Sequence, residues 1–212
     1  MSDSDVRVAT PGNIYTDFVN PGHEAPKPEE IYLLPISFVG CLRQIGPKLD
    51  ASGAWWSVGG DLSENLAGVT VNPKEIEILT NKDGIGKVHE CLREYGPPPI
   101  ALLESTLDRE ADIQGKKYPV YVRSHSFALD IKGAPVVFHG DYQMKVGGWD
   151  WGDPLEFESS RIFIVSTPVP VMPARLRSEI YISLGWLDRA KMIGDAITRA
   201  HHGVSQPGYG FG

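Results

Sequence analysis

Apolar residues recur at helical spacing between Pro35 and Leu49, with Ile36, Val39, Leu42 and Ile45 on one stripe and Cys41 beside it. That pattern predicts a helix ended by Gly53 or the turn around it. Trp55–Val58 then reads as a short buried strand stopped by Gly59-Gly60. Asp61 to Ala67 predicts a short helix, with Asp61 as N-cap and Glu64 three residues on in a capping-box-like pair. From Glu75 to Leu79 the residues alternate, Glu75 and Glu77 facing one way, Ile76 and Ile78 the other, as a strand requires. Lys82 to Tyr95 returns to helical spacing through Ile85, Val88, Cys91 and Leu92, with Gly96 just past its end.

The second half reads as a long hairpin and two helices. Tyr118–Ile131 and Ala134–Val146 are strand-like, joined by a turn at Lys132-Gly133. A Gly/Trp loop with Trp149 and Trp151 follows. Arg161–Ser166 predicts a strand buried on both faces, because Ile162 and Ile164 alternate with Phe163 and Val165. Helices are expected over Ala174–Leu184 and Asp188–His201. This order of elements predicts an α/β or α+β domain around a mixed sheet. Residues 1–30, rich in Pro and Gly, read as an extended arm, 31–202 as a single domain, and 203–212 as a flexible tail.

Composition narrows the setting. The chain has 212 residues, 42% of them hydrophobic and 22% charged, enough to bury a core. No run of about 18 apolar residues occurs, so no membrane segment is expected. The start lacks a basic-then-apolar leader, and a cytoplasmic setting is the expectation. The two cysteines, Cys41 and Cys91, match no zinc or redox spacing. His125 and His139 read as strand residues without a second ligand pattern. The net charge of −7 argues against general nucleic-acid binding, though not against phosphates that arrive with magnesium.

The candidate chemistry lies in three places. Gly59 and Gly60 let backbone N–H groups approach an anion, and the helix start at Asp61 favours phosphate. Glu75 and Glu77, two residues apart on a strand, converge on one side and suit Mg²⁺ as hard oxygen ligands. Asp141 follows the apolar run Val136-Val137-Phe138-His139-Gly140 on the later hairpin and is a candidate third carboxylate of a two-metal site.

Gly59-Gly60, followed by Glu75-Ile76-Glu77 and by the hairpin from Phe127 to Asp141, resembles the pattern of the nucleotidyltransferase superfamily, the polymerase-β-like fold. The resemblance extends over about residues 35–200, and Leu184-Gly185-Trp186-Leu187-Asp188-Arg189-Ala190-Lys191 resembles a segment of the family's C-terminal helices. It implies a mixed sheet with flanking and C-terminal helices. It also implies Mg²⁺-dependent transfer of a nucleoside monophosphate from a triphosphate such as ATP to a hydroxyl acceptor. Glu75, Glu77 and Asp141 would hold the metal and carry catalysis. Gly59, Gly60, Asp61, Arg189 and Lys191 would lie along the triphosphate. The chain departs from the pattern at Glu75, where the family has Asp, and at Asp61, where it has Ser or Thr. An ungapped match puts Val137 at the third carboxylate position, and Asp141 joins the site only if the strand bulges near His139-Gly140. The alternative is a non-catalytic binding or regulatory module of the same fold, working with a partner protein in a toxin–antitoxin-like or assembly role or as a homo-oligomer.

Overall fold

The computed structural model describes residues 16–18, 34–164 and 167–202. The first apolar stripe forms α1 (Ile36–Ala51), whose Leu42, Ile45 and Leu49 are wholly buried. Gly53, at φ 67°, turns the chain into β2 (Trp56–Val58); β1 (Thr16–Phe18) lies earlier, within the arm. α2 (Gly60–Leu66) starts directly after Gly59. β3 (Ile76–Thr80) returns antiparallel to β2, placing Val58 opposite Ile78. α3 (Lys82–Cys91) is capped by the Asn81 side chain, which accepts from the Gly84 N–H at 2.8 Å. The helix expected over 82–95 divides at Leu92, and a separate 3₁₀ turn, Arg93–Tyr95, ends in left-handed Gly96.

Next come β4 (Ala101–Thr106), the small pair β5 (Ala111–Ile113) and β6 (Lys116–Tyr118), and the predicted hairpin of β7 (Val120–Ile131) and β8 (Ala134–Val146). β9 (Ser160–Ile164) and β10 (Thr167–Val171) form a second antiparallel pair, followed by α4 (Ala174–Ser183) and α5 (Leu187–His202). Among the described residues the main sheet has eight strands in the order β1-β9-β10-β2-β3-β8-β7-β4. Its β10–β2 and β3–β8 neighbours are parallel and the rest antiparallel. The predicted mixed-sheet α+β class is therefore the observed one.

Two apolar clusters hold the chain. One packs α1 and α3 against the sheet through Leu42, Ile45, Val88, Ile78, Val136 and Phe138. Each such side chain contributes about 1.5–3 kcal/mol by leaving water. The other gathers Tyr181, Leu184, Trp186 and Ile193 of the C-terminal helical region around Val69, Val71 and Val120. One expectation is corrected in β9: Ile162 and Ile164 are buried, but Phe163 is 39% exposed, so this strand is buried on one face only. Cys41 and Cys91 are free thiols, and burial, with Asp130 adding to it, pushes Cys41 up to about 12 and leaves it inert. Among the described residues no helix is long and apolar enough to cross a membrane.

Candidate functional site

The glycine pair does form the strand-to-helix turn, but its open space is already taken. The Gly59 N–H donates to the Glu77 carbonyl at 2.8 Å. A Cβ on Gly59 would meet Leu79 Cδ1 at 2.9 Å. One on Gly60 would fall 1.9 Å from Glu77 Oε1. Gly60 also sits at φ 58°, a conformation other residues rarely adopt. The glycines therefore let β3 side chains press against the turn. The helix they open has seven residues, and its N-cap is Gly59 with no side-chain cap. Asp61 lies in the first turn instead of at the cap, and it accepts from Arg189 at 2.7 Å.

Glu64 is the second correction. It does not close a capping box with Asp61. Its side chain is 2% exposed and accepts from Arg177 Nε at 2.9 Å, from a guanidinium nitrogen of Arg189 at 2.8 Å, and from the Tyr181 hydroxyl. One carboxylate thus ties α2 to both C-terminal helices. Burial works against charge on Arg177, but Tyr181, Glu64 and Glu77 around it hold it protonated.

Arg177, Tyr181 and Arg189 border a cleft of about 490 Å³. Its lining includes Gly60, Asp61, Glu77 and Leu79 from the glycine turn and β3, Tyr142 and Met144 from β8, Leu155, and Arg177, Tyr181, Leu184, Trp186 and Arg189 from the C-terminal helical region. Arg109 closes the rim, paired with Asp188 and lying 5.4 Å over the Trp186 ring. Glu77 is half-buried. Burial pushes its carboxyl above the ordinary carboxylate range; Arg177 opposes the rise, and Glu75, Asp61 and Glu64 add to it. Burial, reinforced by the Glu77 charge, also raises the Tyr142 phenol, which stays protonated.

The expected metal triad does not assemble. Glu75 precedes β3, is exposed and does not border the cleft. Val137 is the register partner of Glu77 across the parallel β3–β8 pair, so an apolar side chain stands at the expected position of the third carboxylate. The bulge anticipated near Gly140 is present. His125 pairs with Gly140 and Arg123 with Gln143, which leaves two β8 residues opposite Ser124, one of them Asp141 at φ 60°. The bulge shifts the alternation of β8, and Tyr142 and Met144 reach the cleft while Asp141 does not. Asp141 also lies four residues beyond Val137, about 13 Å along a strand. Among the described residues no group of three or more His, Cys, Asp or Glu side chains is arranged to hold a metal ion. The donor set therefore does not fit the two-metal site that the resemblance implies. Of the two expected phosphate cations, Arg189 borders the cleft, whereas Lys191 pairs with Asp195 on an exposed helix face.

Sequence reasoning missed Glu64 as a hub, along with Arg177, Tyr181 and Tyr142. Glu64 is separated from Arg177 by 113 residues and from Tyr181 by 117, so no local spacing could join them. A signal existed in helix α4, where Arg177 and Tyr181 stand four apart on one face.

No protein-family model matches the chain, and no curated protein does. Solved structures do. A Thermotoga maritima protein described as a candidate nucleotidyltransferase superposes with a TM-score of 0.54 at 22% identity, over 79% of this chain and 96% of its own. The antibiotic-resistance factor ANT(2'')-Ia aligns at 0.46 and 10% identity over 81% of this chain and 91% of its own. ANT(2'')-Ia in complex with adenylyl-2''-tobramycin aligns at 0.41 and 10%, over 79% and 97%. The first match settles the architecture: this chain has a nucleotidyltransferase-like fold.

Proposed function

We propose that this chain is a non-transferring module of the nucleotidyltransferase-like fold, whose cleft binds a small ligand through its own side chains. The observation that carries this is Val137 beside Glu77. With valine at that position, the clustered carboxylates that a two-metal transfer site needs on β3 and β8 are not built. Charge points the same way. Five carboxylates at or just behind the cleft, Asp61, Glu64, Glu77, Asp108 and Asp188, face three guanidinium groups, Arg109, Arg177 and Arg189. A triphosphate without its metal would enter a negatively charged cleft, which opposes binding.

The test is pyrophosphate release from each of the four ribonucleoside triphosphates with Mg²⁺. The expected result is none above background. Release that disappears in Glu77→Gln would overturn the proposal. One observation favours the second reading, Mg²⁺-dependent transfer of a nucleoside monophosphate to a hydroxyl acceptor. The Glu77 carboxylate lies directly against Gly60, so a carboxylate and the glycine turn do meet in one cleft.

A further inference from the structure

We infer that the cleft takes an organic ammonium with an apolar body, its nitrogen seated on Glu77; this rests on the reading of the cleft as a non-transferring binding site. The other carboxylates that shape the cleft are engaged, apart from Asp108, which is exposed to water. Asp61 is held by Arg189, Glu64 by Arg177, Arg189 and Tyr181, and Asp188 by Arg109. Glu77 differs. It borders the cleft and is half-buried, and among the described residues no hydrogen bond or ion pair reaches its carboxylate.

Arg177, the cation whose charge acts on Glu77, spends its Nε on Glu64 and another guanidinium nitrogen on the Met172 sulfur at 3.6 Å. A carboxylate partly removed from water and left without a donor is costly. An incoming N⁺–H donor repays that cost with a charge-assisted hydrogen bond. The neighbouring groups select a cation. The Tyr142 phenol beside Glu77 stays neutral, and the cleft as a whole carries excess negative charge.

The rest of the lining says what the nitrogen is attached to. Leu79, Met144, Leu155 and Met172 give the lining an apolar stretch, and the Asp61, Arg177 and Arg189 groups beside it are already paired within the protein. At about 490 Å³ the cleft is within the usual range for a small ligand. The ligand class is therefore a compact amine with one ammonium and an aliphatic or aromatic body.

The experiment is a calorimetric titration of the full chain with 2-phenylethylamine and, separately, 2-phenylethanol, which replaces the ammonium by a hydroxyl. The amine is expected to bind at least about tenfold more tightly than the alcohol, the scale of one charge-assisted contact. Glu77→Gln, checked for folding by thermal melting, should erase the difference. Glu75→Gln, outside the cleft, should preserve it. Equal binding of amine and alcohol, or amine binding unchanged by Glu77→Gln, overturns the inference. So does no amine binding at about 10 mM, a concentration that reveals fragments of this size. No pyrophosphate release together with no amine binding overturns this inference alone. Pyrophosphate release together with no amine binding overturns the functional proposal beneath it.

Discussion

Around Leu42, Ile45 and Phe138 the sheet is closed by side chains with no measurable exposure and no charge among them. Where α4 and α5 meet α2, a buried carboxylate, two guanidinium groups and a phenol share the contact with Tyr181, Leu184 and Trp186. The first region is held by area, which is non-directional and tolerates repacking. The second depends on angles and on every partner being present, because removing one leaves the others charged and out of water. The difference explains why the cleft lies at the second region. Directional bonds hold two helices at a fixed distance without filling the space between them.

The comparison breaks most readily at Glu64. Glu64→Ala strands the buried Arg177 and leaves Arg189 only Asp61, and should cost about 3–5 kcal/mol in urea unfolding, with loss of amine binding as the cleft walls separate. A loss under about 1 kcal/mol would show that the network is ornamental. Leu42→Ala probes the other region. It should cost about 3 kcal/mol through lost burial and a cavity, and leave amine binding unchanged because the cleft is on other residues.

A smaller effect comes from His139, half-buried on β8 with its Nδ1 2.9 Å from Ser124 Oγ. Burial lowers it from 6.5 to about 4. The unfolded chain takes up this proton near pH 6.5 and the folded chain only near 4. Stability is thus complete above about 6.5 and falls as the pH drops toward 4, by about 2 kcal/mol after allowance for partial exposure. His139→Gln should flatten that slope in melts run across the same pH range. The smallest effect is expected at Glu75→Gln, an exposed residue, within about 0.5 kcal/mol. A larger shift, or a change in ligand binding, would bring Glu75 back into the site.

The two regions also differ in how much of them could be read from the sequence. α1, β2, β3 and the β7–β8 hairpin follow from apolar periodicity and turn residues, because each buries a regular face. β4 could not be read: all six of its residues are exposed, so burial imposes no alternation on Ala101–Thr106. β10 hid behind Pro168 and Pro170. Both stand at the same parity, so their missing donors fall on one edge of the strand, and β2 joins that strand only at Val171. In the cleft, the strand carrying Glu77 and the bulge at Gly140 were both anticipated. What the bulge does to side-chain direction was not, since a single extra residue decides whether Asp141 or Tyr142 faces the cleft.

A cleft formed by the glycine turn and Glu77 without a metal-dependent nucleotide site is tested by calorimetric titration of ATP into the chain, with and without Mg²⁺. No Mg²⁺-dependent heat is expected at millimolar ATP, in the unmodified chain and in Glu77→Gln alike. Submillimolar ATP binding that requires Mg²⁺ and vanishes in Glu77→Gln would contradict it.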